Sequence, residues 1–190
     1  MKALVIALVV LLVAGLVFGS IYFSRRNEIV RLHEAIQAAW SQVDVTIERR
    51  ADLIPNLVET VKGFAAHEQK AIQEVAEARA ALLSARTPQG RIGANERLDG
   101  AIGRLLVVVE NYPNLKASEN FLRLQDELAG TENRIAVERR RYNEAVQRYN
   151  TYIQLFPSNL VAGIGGFQRN DAYFRAEGRS RAVPQVRFAQ

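Results

Sequence analysis

The chain has 190 residues, 48% hydrophobic and 24% charged, with 25 Lys and Arg against 20 Asp and Glu, a formal net charge of +5 and no cysteine. The lack of cysteine excludes disulfides, thiolate metal sites and cysteine nucleophiles. The basic excess does not mark a nucleic-acid binder, because cations alternate with acids, as in Glu48-Arg49-Arg50 and Glu138-Arg139-Arg140-Arg141. Such mixing gives solvated, ion-paired helix faces, and no aromatic–basic platform or nucleic-acid motif accompanies it.

Residues 3–23 carry no charge, and their only side-chain polar groups are Ser20 and the Tyr22 hydroxyl. A helix of this length spans about 30 Å, the thickness of a bilayer's hydrocarbon core. Lys2 precedes the run and Arg25-Arg26 follow it. The expectation is a single-pass transmembrane anchor over residues 1–24. A cleaved signal peptide, cut near Val17-Phe18-Gly19, is the competing reading. The run is long for that purpose, and cleavage would leave Ile21, Tyr22 and Phe23 at an exposed terminus. A buried helix of a soluble protein would be shorter or carry a polar stripe. Arg25, Arg26 and Arg31 favour placing the following domain on the cytoplasmic side, and they suit contacts with lipid headgroups.

The remaining residues, about 165, suffice for one domain with a continuous core. Ile29, Ile36, Trp40, Val43 and Ile47 form one apolar stripe, extended by Ile54, Val58, Val61 and Ala65. That spacing predicts a helix burying one face. Pro55 removes a ladder hydrogen bond, so a kink or short break is expected there. Residues 65–86 are rich in Ala and Glu and strongly helix-forming, and Thr87-Pro88-Gln89-Gly90 reads as a stop and turn. A helix over about 91–110 follows, with Leu98, Ile102, Leu105 and Val109 on its stripe. Asn111-Tyr112-Pro113-Asn114 ends it, and Ser118 suits the N-cap of the next.

That next helix has the most regular pattern. Phe121, Leu124, Leu128, Thr131, Ile135, Glu138, Tyr142, Ala145, Tyr149, Tyr152 and Phe156 recur at alternating steps of three and four, a coiled-coil-like seam. It ends near Phe156-Pro157-Ser158-Asn159. Leu160, Val161, Ile164 and Phe167 then sit among glycines, a flexible apolar segment expected to dock on the bundle or touch the bilayer, with docking the default. The stretch from Arg175 through Arg179, Arg181 and Arg187 is expected to be loosely ordered. The fold class is all-α. An N-terminal transmembrane helix (1–24) leads into a long antiparallel bundle of three to four helices (25–158), followed by an irregular tail (159–190), Gly-rich and then basic.

No catalytic set emerges. His67-Glu68 lacks the second histidine that a zinc-peptidase helix needs, and His33 lies some 50 Å away along a straight helix. No serine has a nucleophile-elbow context. Residues 163–166 are not a dinucleotide fingerprint, since no strand precedes them. Asp126 and Glu127 face different directions on a helix. The expectation is no catalytic residue, no cofactor and no metal.

Several strings resemble the LemA family: residues 40–45, 49–65 and His67-Glu68, then Tyr112-Pro113-Asn114-Leu115-Lys116-Ala117, then the run from Leu124-Gln125 through residues 131–136, then Tyr142-Asn143 and Tyr149-Asn150. Phe156-Pro157-Ser158, Gly166-Phe167 and, more loosely, residues 182–188 continue the resemblance in order. It implies a bacterial single-pass membrane protein with a long helical bundle and no established catalytic activity. Some members are associated with magnetosome membranes, and others with membrane proteases and stress responses. Of the matching residues, Arg49, Arg50 and Asp52 are expected to form a structural polar network with Glu138 that fixes helix register, a binding site being the alternative. In it Asp52 serves the backbone near Pro55, and an arginine meets Glu138 across the bundle. For Glu138 a place at the seam's edge, reaching water, is the alternative. Asp52→Ala is then expected to lower thermal stability. The composite expectation is a scaffold or adaptor for membrane or envelope proteins, in contact with the lipid bilayer, without nucleic acid, and possibly self-associating. A lipid-organising role is the alternative, and an unrecognised hydrolase the third reading.

Overall fold

The computed structural model describes residues 2–65 and 67–174. The expected loose stretch containing Arg175, Arg179, Arg181 and Arg187, and the family-like string at 182–188, lie outside the described residues.

Helix α1 runs from Lys2 to Lys62 as one element of 61 residues, about 90 Å long at the helical rise. Its two parts meet different surroundings. From Leu4 to Phe18 large apolar side chains are exposed, whereas Ile29, Ile36, Val43, Ile47, Ile54, Leu57 and Val61 are buried. The buried set returns every three, four or seven residues, so the sequence stripe is the packed face. Among the described residues one helix, α1, is long and apolar enough to cross a membrane.

The short break expected at Pro55 does not occur, since α1 continues through it. The cause lies in another helix. Proline at 55 withholds the amide that would bond the Ala51 carbonyl, and Arg79 Nε donates to that carbonyl at 2.8 Å instead. What proline frees here is an acceptor, so an arginine answers it, not the Asp52 carboxylate. The true end of α1 comes eight residues after Pro55, at Gly63, a residue that favours helix ends. The expected helix over 65–86 correspondingly starts late, as α2 (Gln69–Ser84).

Thr87-Pro88 marks a start as well as a stop. Helix α3 spans Pro88–Val109, with the Thr87 side chain accepting from Gly90 N and Pro88 in the first turn, where its missing N–H costs nothing. A single turn, α4 (Pro113–Lys116), precedes α5 (Glu119–Gln154). Ser118 caps α5 as expected, its Oγ accepting from Phe121 N at 3.3 Å. Of the α5 seam, Phe121, Leu124, Leu128, Thr131, Ile135, Tyr142 and Tyr149 are buried, while Phe156 lies beyond the helix and is 80% exposed. After the corner a helix the periodicity did not announce, α6 (Ser158–Gly165), packs on α1 and α5. Gly166, at φ 69°, closes it in the left-handed region.

The long helices run up, down, up and down. Asp44 pairs with Arg91 and Arg50 with Asp99, so α3 is parallel to α1. Glu74–Arg104 sets α2 antiparallel to α3. His33 meets Tyr149, Trp40 meets Tyr142 and Arg50 meets Glu132, so α5 is antiparallel to α1 in constant register. Since α2 and α3 are short, they flank α1 only beyond about Trp40. The bundle therefore has a four-helix distal half and a proximal half, next to the apolar segment, made of α1, α5 and α6.

Candidate functional site

Two polar arrangements stand out, one in each half. The distal one centres on Arg50, whose side chain is only 7% exposed. Its Nη1 meets Asp99 of α3 and Glu132 of α5. Arg139 Nη2 lies 3.6 Å from Asp99, and Asn95 donates to the same carboxylate at 3.0 Å. Two cations and two acids thus balance around the buried Arg50 guanidinium and join three helices, with Glu132 half-exposed at the outer end. Ion pairs of this kind are strongly coupled, because removing one partner strands the other in a poorly solvated place.

This is not the arrangement expected from the sequence. Of the expected quartet, Arg50 is at the centre, but the acids that meet it are Asp99 and Glu132. Asp52 and Arg49 are exposed on the outer side of α1. Glu138 pairs with Arg141 of its own helix and keeps 17% exposure, matching the seam-edge alternative. The helical register explains the difference: Asp52 is two residues from Arg50, on another face of α1.

The proximal arrangement grips a returning backbone. After α6 the chain runs back along the α1–α5 pair from residue 167 to residue 174. Asn143 donates through Nδ2 to the Phe174 carbonyl at 2.8 Å and accepts from Phe174 N at 3.0 Å. Asn150 does the same to Asn170, at 2.7 and 2.9 Å, and also donates to the Tyr173 hydroxyl. A carboxamide carries one acceptor and a two-hydrogen donor, so it can replace a neighbouring strand as partner for both backbone groups. Two asparagines one heptad apart on α5 thus hold the segment like a strap. Tyr149 adds a bond to the Gln168 carbonyl at 2.9 Å. Beneath the strap, Phe174 stacks on Trp40 and meets Tyr142 edge-on, with ring centroids 6.1 and 5.7 Å apart. Arg139 lies 5.0 Å over the Phe174 ring, so one cation touches both arrangements. Burial raises Tyr142 and Tyr149 above the usual phenol range.

A third link closes the distal tip. Tyr112, at the α3–α4 junction, donates to Glu68 in the α1–α2 turn at 2.7 Å, and this bond holds the Tyr112 proton on to higher pH than usual. The sequence strings around Glu68, Tyr112, Tyr142-Asn143 and Tyr149-Asn150 are therefore the places where distant segments join.

The cleft of about 570 Å³ beside the strap is lined by His33, Gln37, Trp40, Tyr142 and the strap itself, and holds no nucleophile paired with a base. Among the described residues no group of three or more His, Asp or Glu is placed to hold a metal ion. His33 stacks edge-on with Tyr149, and His67 is exposed at the other end of the bundle. At the end of the apolar segment, Arg25 donates to Tyr152 at 3.4 Å, Arg26 is exposed, and Arg31 pairs with Glu28.

Residues 39–188 match the model of the LemA family. The chain is 31% identical to magnetosome protein MamQ 2 of Paramagnetospirillum magneticum, covering 89% of this chain and 72% of the relative. It is 29% identical to magnetosome protein MamQ of Magnetospirillum gryphiswaldense (76% and 63%) and 27% identical to protein LemA of Metamycoplasma hominis (77% and 67%).

Proposed function

The chain belongs to the LemA family, and from that premise we propose that it is a non-enzymatic scaffold that crosses the membrane once and presents a stiff helical bundle to membrane or envelope proteins. The observation that carries the reading is the continuity of α1, which passes from an exposed apolar segment into a buried bundle face without a break. A continuous helix transmits position and orientation where a linker would not. The ionic layer, the strap and the tip bond all rigidify; none offers a catalytic set. Arg25, Arg26 and Arg31 support a cytoplasmic bundle, and a topology reporter fused after Gln190 tests that side. The names of the relatives tie members of the family to the magnetosome in two organisms, which fits work at a membrane.

The test is photo-crosslinking in native membranes, with the probe placed in the full chain at exposed positions of the distal half, Val45 and Val107. Discrete covalent adducts with membrane proteins are expected. Adducts with lipid alone, or none at any position, would contradict the scaffold reading.

A further inference from the structure

The end of the bundle nearest the anchor carries apolar side chains that nothing in the fold covers. Leu155 is 58%, Phe156 80%, Leu160 58% and Ile164 75% exposed. Leu160 and Ile164, four residues apart on α6, share the face away from the buried Ser158, Val161 and Ala162, and Leu155 and Phe156 stand exposed at the corner just before that helix. On a water-facing surface this ridge would be a liability. Its height relative to the anchor shows what it meets.

The α1–α5 register gives that height. Going back seven residues from Trp40 to His33 on α1 goes forward seven from Tyr142 to Tyr149 on α5. Helix α5 ends at Gln154, which this register sets opposite Glu28, and Leu155 and Phe156 follow within two residues at the corner, near the level of Arg26. Arg26 lies three residues after Phe23, the last apolar residue of the anchor, which is about 4.5 Å along the axis. Tyr22, inside the apolar run, is already partly buried against the core. The headgroup zone on each side of a bilayer is several ångströms deep, so the corner stands within it. From there α6 leads the chain away from the anchor, because Gln168, just beyond it, bonds Tyr149.

We propose that the α5–α6 corner is a second membrane contact, with Leu155 and Phe156 inserted at the lipid interface beside the anchor, Leu160 shallower and Ile164 outermost. The partner is the bilayer itself. The ridge lies within a few residues' rise of the anchor's last apolar residue, and the exposed cations Arg25 and Arg26 stand near the same level, where anionic headgroups lie. A helix fixed at one point can tilt about its exit; a second contact at the corner sets the bundle's tilt and its rotation about the anchor axis. The inference rests on residues 2–23 being a retained anchor.

Because the chain has no cysteine, single cysteines can be introduced and nitroxide-labelled without other changes. The full chain is reconstituted in vesicles of neutral and anionic phospholipid. Collision rates with oxygen, which enriches in lipid, and with a water-soluble nickel chelate are measured at Phe18→Cys, Phe156→Cys, Leu160→Cys, Ile164→Cys and Val107→Cys. Position 18 reports the anchor and position 107 the aqueous bundle. At position 156 the nickel rate is expected to fall severalfold relative to 107 while the oxygen rate rises, with 160 and 164 graded between. Lipid-like rates at 18 with water-like rates at 156 and 160 would overturn this inference and leave the anchor standing. Water-like rates at 18 would overturn both.

Discussion

The two halves of the bundle are held in different ways. The distal half packs four helices around a charged layer, the buried Arg50 with the partly exposed Arg139, Asp99 and Glu132. The proximal half has two long helices and one short one, too few to enclose a core, and it completes itself with aromatic rings under a strap held by Asn143 and Asn150. Charge is used where four helices meet around the buried Arg50, and neutral amides where a backbone must be held at the edge. The difference teaches that the strap substitutes for the missing helices, and that loosening it should affect the end nearest the membrane first.

Arg50→Ala should separate the halves most clearly. It removes the layer's most buried cation, leaving Asp99 to Arg139 and Asn95, and is expected to cost about 3 kcal/mol, roughly 6–12 °C in melting temperature for a domain of this size. Thermal unfolding followed by circular dichroism measures it. Arg79→Ala removes the donor that covers the Ala51 carbonyl at Pro55 and is expected to cost about 1–3 kcal/mol, with faster amide exchange around residues 51–55.

In the proximal half, Asn150→Asp keeps the shape but replaces a donor with a second acceptor facing the Asn170 carbonyl. The expected cost is about 1–3 kcal/mol, and the consequence is local. Trp40, the chain's one tryptophan, stacks on Phe174 of the strap, so its emission should shift to the red while helical content stays. An unchanged Trp40 spectrum would show that the strap does not depend on Asn150. Asp52→Ala sharpens the contrast from the other side. The sequence alone suggests a loss, but the exposed position of Asp52 points to a change within about 0.5 kcal/mol.

A slower effect appears at high pH. Tyr142 and Tyr149 are raised by burial, and Tyr112 by its bond to Glu68. Each keeps its proton in the folded chain after the unfolded chain, titrating near 10, has lost it. Their contribution is therefore complete below about pH 10 and is lost as pH rises through the folded values. Urea midpoints should fall as the pH rises above about 10. Tyr112→Phe, which lacks the phenol, should show a smaller fall.

Much of the architecture was legible in the sequence because it is written in local periodicity. The buried stripe from Ile29 to Ala65 and the α5 seam follow from spacing alone, and the Ser118 cap from one residue's chemistry. What was not legible depends on pairing across the chain. Arg50 reads as half of an ion pair, but Asp99 and Glu132 lie in other helices, and nothing local distinguishes them from Asp52. Asn143 and Asn150 look like ordinary polar residues of a helix until a backbone 20 to 31 residues later comes to lie against them. Pro55 signals a break only if no donor is available, and Arg79 supplies one. Gly63, just past the last buried position of α1, was the overlooked local signal for the end of that helix.

The scaffold reading and the second membrane contact both depend on the apolar start of α1 remaining attached and lipid-embedded. The decisive measurement is the intact mass of the protein recovered separately from washed membranes and from the soluble fraction of the same cells. Recovery from the membrane fraction by detergent alone, at a mass that includes residues 2–23, is the expected result. A freely soluble species shortened near Gly19 would contradict it.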